Sequence, residues 1–154
     1  MSWEPGGVLN GPEPVVTVED ITCANFESRR PGCEKGVLHA EGPVQPAVFR
    51  VAPGSGVPRH LRSRVYDLFM GVKGLLEIRY EGQHGQGVFE LKPGAFCAMP
   101  PGVRHEVFNP SHAEEAFFLS VHAPHDGYDF VPADFRHIEP ALHDRAYAAL
   151  PPAP

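Results

Sequence analysis

Along "LLEIRY" (75 to 80), Leu76, Ile78 and Tyr80 fall on one side of an extended chain and Glu77 and Arg79 on the other. Short apolar segments of this kind recur along the chain. They predict strands at 15–21, 36–41, 46–52, 64–72, 75–80, 87–92, 96–99, 105–109 and 116–122. Between them stand the breakers. "GVKG" (71–74) reads as a tight hairpin connection and "EGQHGQG" (81–87) as a longer loop, while "KPG" (92–94) and "PPG" (100–102) read as turns in which Pro fixes φ and Gly supplies positive φ. Regular punctuation of short strands predicts an all-β sandwich or barrel. Helical propensity is confined to "EPALHDRAYAAL" (139–150), which predicts one short C-terminal helix.

A chain of 154 residues with 42% apolar composition can bury one core without staples, so a single domain over 14–150 is expected, with 1–13 and 151–154 as flexible ends. A net charge of -6 and the lack of any basic run argue against nucleic-acid or anionic-membrane partners and leave a small molecule as the expected one. Cys23, Cys33 and Cys97 are odd in number and have no CxxC spacing, which fits free thiols and a reducing, cytoplasmic setting. Neither a secretory leader nor a membrane-length apolar run is visible in the sequence. Phosphate-loop, dinucleotide, serine-elbow and HExxH motifs are also missing, which sets nucleotide and serine-hydrolase chemistry aside.

Two frames carry candidate chemistry. Residues 94–109 spell G-x5-P-x-G-x2-H-x3-N through Gly94, Pro100, Gly102, His105 and Asn109. Residues 54–74 follow G-x5-H-x-H-x4-E-x6-G through Gly54, His60, Arg62, Asp67 and Gly74, with Arg62 in place of the second histidine and Asp67 in place of the glutamate. The two frames, 19 residues apart (75–93), resemble the two sequence motifs of the cupin family. That resemblance implies a jelly-roll β-barrel whose motif residues aim into the barrel mouth. It also implies a divalent metal held by His60, Asp67 and His105.

Two imidazoles and one carboxylate form the set favoured by non-haem Fe(II) oxygenases, so Fe(II) is the first expectation, with Zn(II), Ni(II) or Mn(II) behind it. Three placements of Arg62 stay open: orienting an anionic substrate, pairing with Asp67 in place of a metal, or standing as a solvated rim charge. Its expected role in catalysis is shared by His122, which is in phase with Ser120 and Phe118 and could line the cavity as a fourth ligand or an acid/base, a rim position being its alternative.

Cys97 reads as a buried inert thiol, with a pocket-facing thiol as the alternative, and Tyr66 as a core residue on the face opposite Asp67. His39, His84, His112, His125, His137 and His143 lack ligand spacing and read as surface residues. The functional expectation is a dioxygenase-like metalloenzyme acting on an enolic or carboxylate-bearing metabolite. The alternatives are an isomerase or cyclase resembling cupin polyketide cyclases, and a non-catalytic ligand-binding cupin. A homodimer paired through β edges is the expected assembly.

Overall fold

The computed structural model describes residues 16–40, 45–124 and 129–135. The predicted C-terminal helix, both terminal segments and His125, His137 and His143 lie outside the described residues.

Eleven strands form among the described residues: β1 (Glu27–Arg30), β2 (Cys33–Val37), β3 (Ala47–Val51), β4 (Gly56–Leu61), β5 (Tyr66–Lys73), β6 (Leu76–Gly82), β7 (Gly85–Leu91), β8 (Phe96–Met99), β9 (Arg104–Phe108), β10 (Ala116–Ala123) and β11 (Val131–Pro132). They pair antiparallel into a six-stranded sheet, β1-β2-β3-β10-β5-β8, and a five-stranded sheet, β11-β4-β9-β6-β7. Two antiparallel sheets with almost no helix among the described residues are the all-β architecture the turn rhythm predicts, and they are consistent with the jelly-roll barrel that the motif resemblance implies.

Alternation sends one face of each strand inward. Cys33, Val51, Phe69, Leu76, Ile78, Val107 and Phe118 meet there in one buried cluster. Phe118 stacks on Phe49 with centroids 4.8 Å apart and meets Phe69 edge-on at 5.7 Å. That aromatic row joins β3, β10 and β5 across the sheet, and truncating Phe118 would cost roughly 3–5 kcal/mol.

Two connections differ from expectation. The tight hairpin is the β6–β7 connection, where Gly82 pairs with Gly85 and only Gln83 and His84 bridge the strands. "GVKG" is instead a corner, because β5 lies in one sheet and β6 in the other. Gly71 is needed there: a Cβ at that position would lie 2.0 Å from the Lys92 carbonyl oxygen.

The expected strand at 15–21 is also absent from its described part. Asp20 caps a single 3₁₀ turn, Ile21–Cys23, by accepting from the Thr22 N–H at 2.9 Å and the Thr22 hydroxyl at 2.6 Å, and this local bonding outcompetes a sheet partner. β1, β4 and β11 went unread because "ESRR", "GVPRHL" and "VP" carry no clean apolar alternation. Tyr66 faces away from Asp67 but is 48% exposed, so it packs no core.

Asn109, the last residue of the second frame, is a fully buried cross-brace. Its side-chain amide donates to the carbonyls of Val51 at 3.0 Å and Glu114 at 2.8 Å, while its carbonyl oxygen accepts from the Ser111 N–H at 3.0 Å. Gly102 adopts φ +84 and donates its N–H to the Arg62 carbonyl at 2.8 Å, tying the two frames together.

Candidate metal centre

His60 near the end of β4 and His105 at the start of β9 stand directly opposite in register, their ring centroids 4.2 Å apart. Asp67 opens β5 from the facing sheet and is flanked in register by His122 on β10 and Met99 on β8. All three candidate ligands are buried, and their ligand atoms lie within 4.8 Å of one another.

Backbone carbonyls set the imidazole tautomers. His60 Nδ1 is 2.7 Å from the Pro58 carbonyl and His105 Nδ1 is 2.9 Å from the Val103 carbonyl. A carbonyl only accepts, so each Nδ1 carries the proton and each Nε2 turns a lone pair inward. His105 Nε2 stands 3.3 Å and His60 Nε2 3.8 Å from the same oxygen, Asp67 Oδ2. His60 Nε2 is buried without a hydrogen-bond partner.

Two lone pairs and a carboxylate therefore converge with no donor assigned to His60. Ligand atoms about 2.0–2.2 Å from a common ion are separated by roughly 3–4 Å, and the 3.3 and 3.8 Å approaches of the two imidazoles to Asp67 Oδ2 match that separation.

The protonation states agree with that fit. Burial, then the neighbouring His105, pushes His60 down to about 3, which keeps its imidazole neutral. For Asp67, burial works to raise the carboxyl, but the close imidazoles of His105, His122 and His60 and the positive charge of Arg62 outweigh it and hold the group well below the usual range. Neutral imidazoles and an ionised carboxylate are the metal-binding forms.

Arg62 is not a solvated rim charge. It is 9% exposed, donates from Nε to Asp67 Oδ2 at 2.9 Å, and donates a second N–H to the Asp129 carbonyl at 2.8 Å. The pairing with Asp67 is the placement the structure adopts. His122 lies on β10 with Nε2 3.2 Å from Asp67 Oδ1 and its side chain 22% exposed.

Three further residues escaped the sequence reading. Ser120 donates to Asp67 Oδ1 at 3.2 Å. The Asp129 carboxylate accepts from the Ser63 hydroxyl at 2.6 Å and from the Ser63 and Arg64 N–H groups at 2.9 and 2.8 Å. Phe130 stacks on His60 with centroids 4.3 Å apart and planes 15° apart. Ser120 shares the phase of His122 and could have been found that way. Asp129 and Phe130 come from a distant loop with no local signal.

Two spaces adjoin the cluster. A cavity of about 20 Å³ is bounded by His60, Arg62, Asp67, Phe69 and Ser120, room for about one water or ion. A cleft of about 570 Å³ opens between the edges β7 and β8, lined among others by Tyr80, His84, Phe96, Cys97 and Met99. Tyr80 is in register with His105 and Met99 with Asp67, so the cleft abuts the centre. Its size suits a metabolite.

Cys97 is a half-buried wall of this cleft rather than a core thiol, and burial, then Asp67, raises its pKa. His112 is exposed, His84 is exposed at the cleft's lip, and His39 is half-buried.

Residues 47–122 match the family described as "Cupin domain". No curated protein matches the sequence. Among solved structures, the chain is similar to KdgF from Halomonas sp., at 15% identity over 64% of this chain and 84% of that one, with a TM-score of 0.56. TT1209 from Thermus thermophilus is similar at 22% identity over 70% and 96%, with a TM-score of 0.59. A third is oxalate decarboxylase from Lactobacillus farciminis in its formate complex, at 14% identity and a TM-score of 0.61, where the match covers 73% of this chain but 34% of that longer one. At these identities the likeness is one of fold. No helix among the described residues is long and apolar enough to cross a membrane.

Proposed function

The chain belongs to the cupin superfamily, and we propose that it is a small-molecule metalloenzyme in which His60, Asp67 and His105 hold a divalent ion. The observation that carries this reading is the buried, unpartnered Nε2 of His60, aimed at the oxygen that His105 Nε2 also approaches. Fe(II) is the first candidate for two imidazoles and one carboxylate, with Zn(II), Ni(II) or Mn(II) behind it. When bound, the ion would polarise an oxygen-bearing metabolite and offer open positions to substrate and dioxygen.

The surrounding residues have their own tasks. The Pro58 and Val103 carbonyls lock the imidazoles in the ligating tautomer. Arg62 and Ser120 keep Asp67 ionised and fixed. Partly exposed His122, beside Asp67 Oδ1, is placed to hold or pass a proton. The adjoining cleft supplies apolar walls for an enolic or carboxylate-bearing substrate. Dioxygen-dependent turnover is the proposed reaction class, and oxygen uptake separates it from isomerase or cyclase chemistry at the same ion.

One observation favours a second reading. The Arg62–Asp67 pair places a cation on the oxygen a metal would take, which suits a metal-free ligand-binding cupin. Elemental analysis after anaerobic loading with Fe(II) tests both. The expected result is one ion per chain, lost in His105→Ala. A chain that retains no ion, or an unchanged ion content in His105→Ala, overturns the metalloenzyme.

A further inference from the structure

A second pocket, of about 360 Å³, lies at the β1 edge of the six-stranded sheet and is lined by Asn25, Glu27, Arg29, Lys35, Val37 and Gln45. Register places it on the inner wall of the barrel. Glu27 pairs with Lys35, Lys35 with Phe49, and Phe49 with Phe118, a member of the core cluster. A bulge between Ser28 and Arg30 sets Arg30 opposite buried Cys33, so neighbouring arginines crowd this edge.

The pocket is cationic and adjoins the metal centre. Lys35 Nζ lies 5.8 Å over the Phe49 ring, and Phe49 also walls the small cavity beside His60, Arg62 and Asp67. Among the described residues Lys35 has no carboxylate partner, although Glu27 stands across from it. Burial, then the charges of Arg29 and Arg62, disfavours its ammonium form. A half-buried ammonium hemmed in by arginines, inside a chain of net charge -6, is stabilised by an incoming anion.

We propose that this pocket binds the carboxylate or phosphate group of a small anionic molecule, with Lys35 as its main cation and Arg29 beside it. The site goes beyond the metal reading and does not depend on it. Where both hold, the ligand presents an anionic tail to Lys35 across Phe49 from the cluster.

Calorimetric titration of the full, EDTA-treated chain with inorganic phosphate, succinate and neutral succinamide tests the site. Saturable binding of phosphate or succinate is expected, with none of succinamide, and which anion binds identifies the group. Lys35→Met should weaken binding about tenfold or more. Lys35→Arg, which keeps the charge, should retain most of it and guards against a folding defect.

Equal binding of succinamide, no saturable binding of either anion, or unchanged affinity in Lys35→Met would each overturn the proposal. Metal uptake is read separately, on the same chain loaded anaerobically with Fe(II) instead of treated with EDTA. Lys35-dependent binding in a chain that takes no metal sinks only the metalloenzyme.

Discussion

Arg62 Nε lies 2.9 Å from Asp67 Oδ2, the oxygen His105 Nε2 approaches to 3.3 Å. A guanidinium and a divalent ion at the proposed centre would therefore crowd one carboxylate oxygen. At an effective dielectric of about 20, unit charges about 4 Å apart interact by roughly 4 kcal/mol, so the guanidinium opposes a divalent ion unless it swings aside.

Arg62→His removes the competing cation and adds an imidazole two residues from His60. Affinity for a divalent ion should rise at least about tenfold, read by competition titration with a chelator. Without metal, the variant should be less stable by roughly 3 kcal/mol, because a buried carboxylate loses its partner. Added metal should restore that stability. Unchanged affinity would mean that Arg62 does not stand in the ion's way.

Asp129→Ala unpins the loop that delivers Phe130. Three N–H and O–H donors on Ser63 and Arg64 lose their acceptor, and stability should fall by about 1–3 kcal/mol in urea unfolding. The Phe130 ring that stacks on His60 is held through the same loop. Metal affinity should therefore fall as well, whereas a purely local cap would leave it unchanged.

How much of this was legible depended on whether the signal was local. Gly94, Pro100 and Gly102 shape turns through their own φ preferences, so the second frame and the strands around it could be read directly. Asn109 was legible as a motif residue, but its brace joins Val51 to Glu114 and needs the folded sheets. His60, Asp67 and His105 could be named from the resemblance of the two frames to cupin motifs, while the pairing of Arg62 with Asp67 is a choice among side-chain directions that a motif does not fix. Phe130 was beyond reach: β11 is two residues long, and its sheet partner among the described residues is β4, some 70 positions upstream.

The three thiols should react in a set order. Cys23 is exposed, Cys97 walls a cleft, and Cys33 is fully buried with its thiol pushed up to about 11 by burial. A disulfide reagent at neutral pH should consume Cys23 first and Cys97 more slowly, with Cys33 released only on unfolding. A ligand in the β7–β8 cleft should slow Cys97 alone. Equal rates for Cys97 and Cys33 in the native chain would close the cleft assigned to substrate.

Stability should fall steadily as the metal-free protein is acidified below neutrality. His60 titrates near 6.5 in an unfolded chain but at about 3 when folded, so between those values only the unfolded state takes up its proton. Each such proton tilts the balance toward unfolding by about 1.4 kcal/mol per pH unit. Below the ordinary carboxylate value of 3.8, Asp67 and Asp129 add to the same trend, because their folded forms also resist protonation, Asp129 down to about 2. All three groups therefore contribute stability at neutral pH that is lost in acid. Urea midpoints taken from pH 7 to 4 should show the decline, and His60→Leu, which has no proton to gain there, should flatten it. A variant whose profile matches the parent's would show that His60 is already protonated in the folded chain, which is incompatible with the neutral imidazole the metal centre requires.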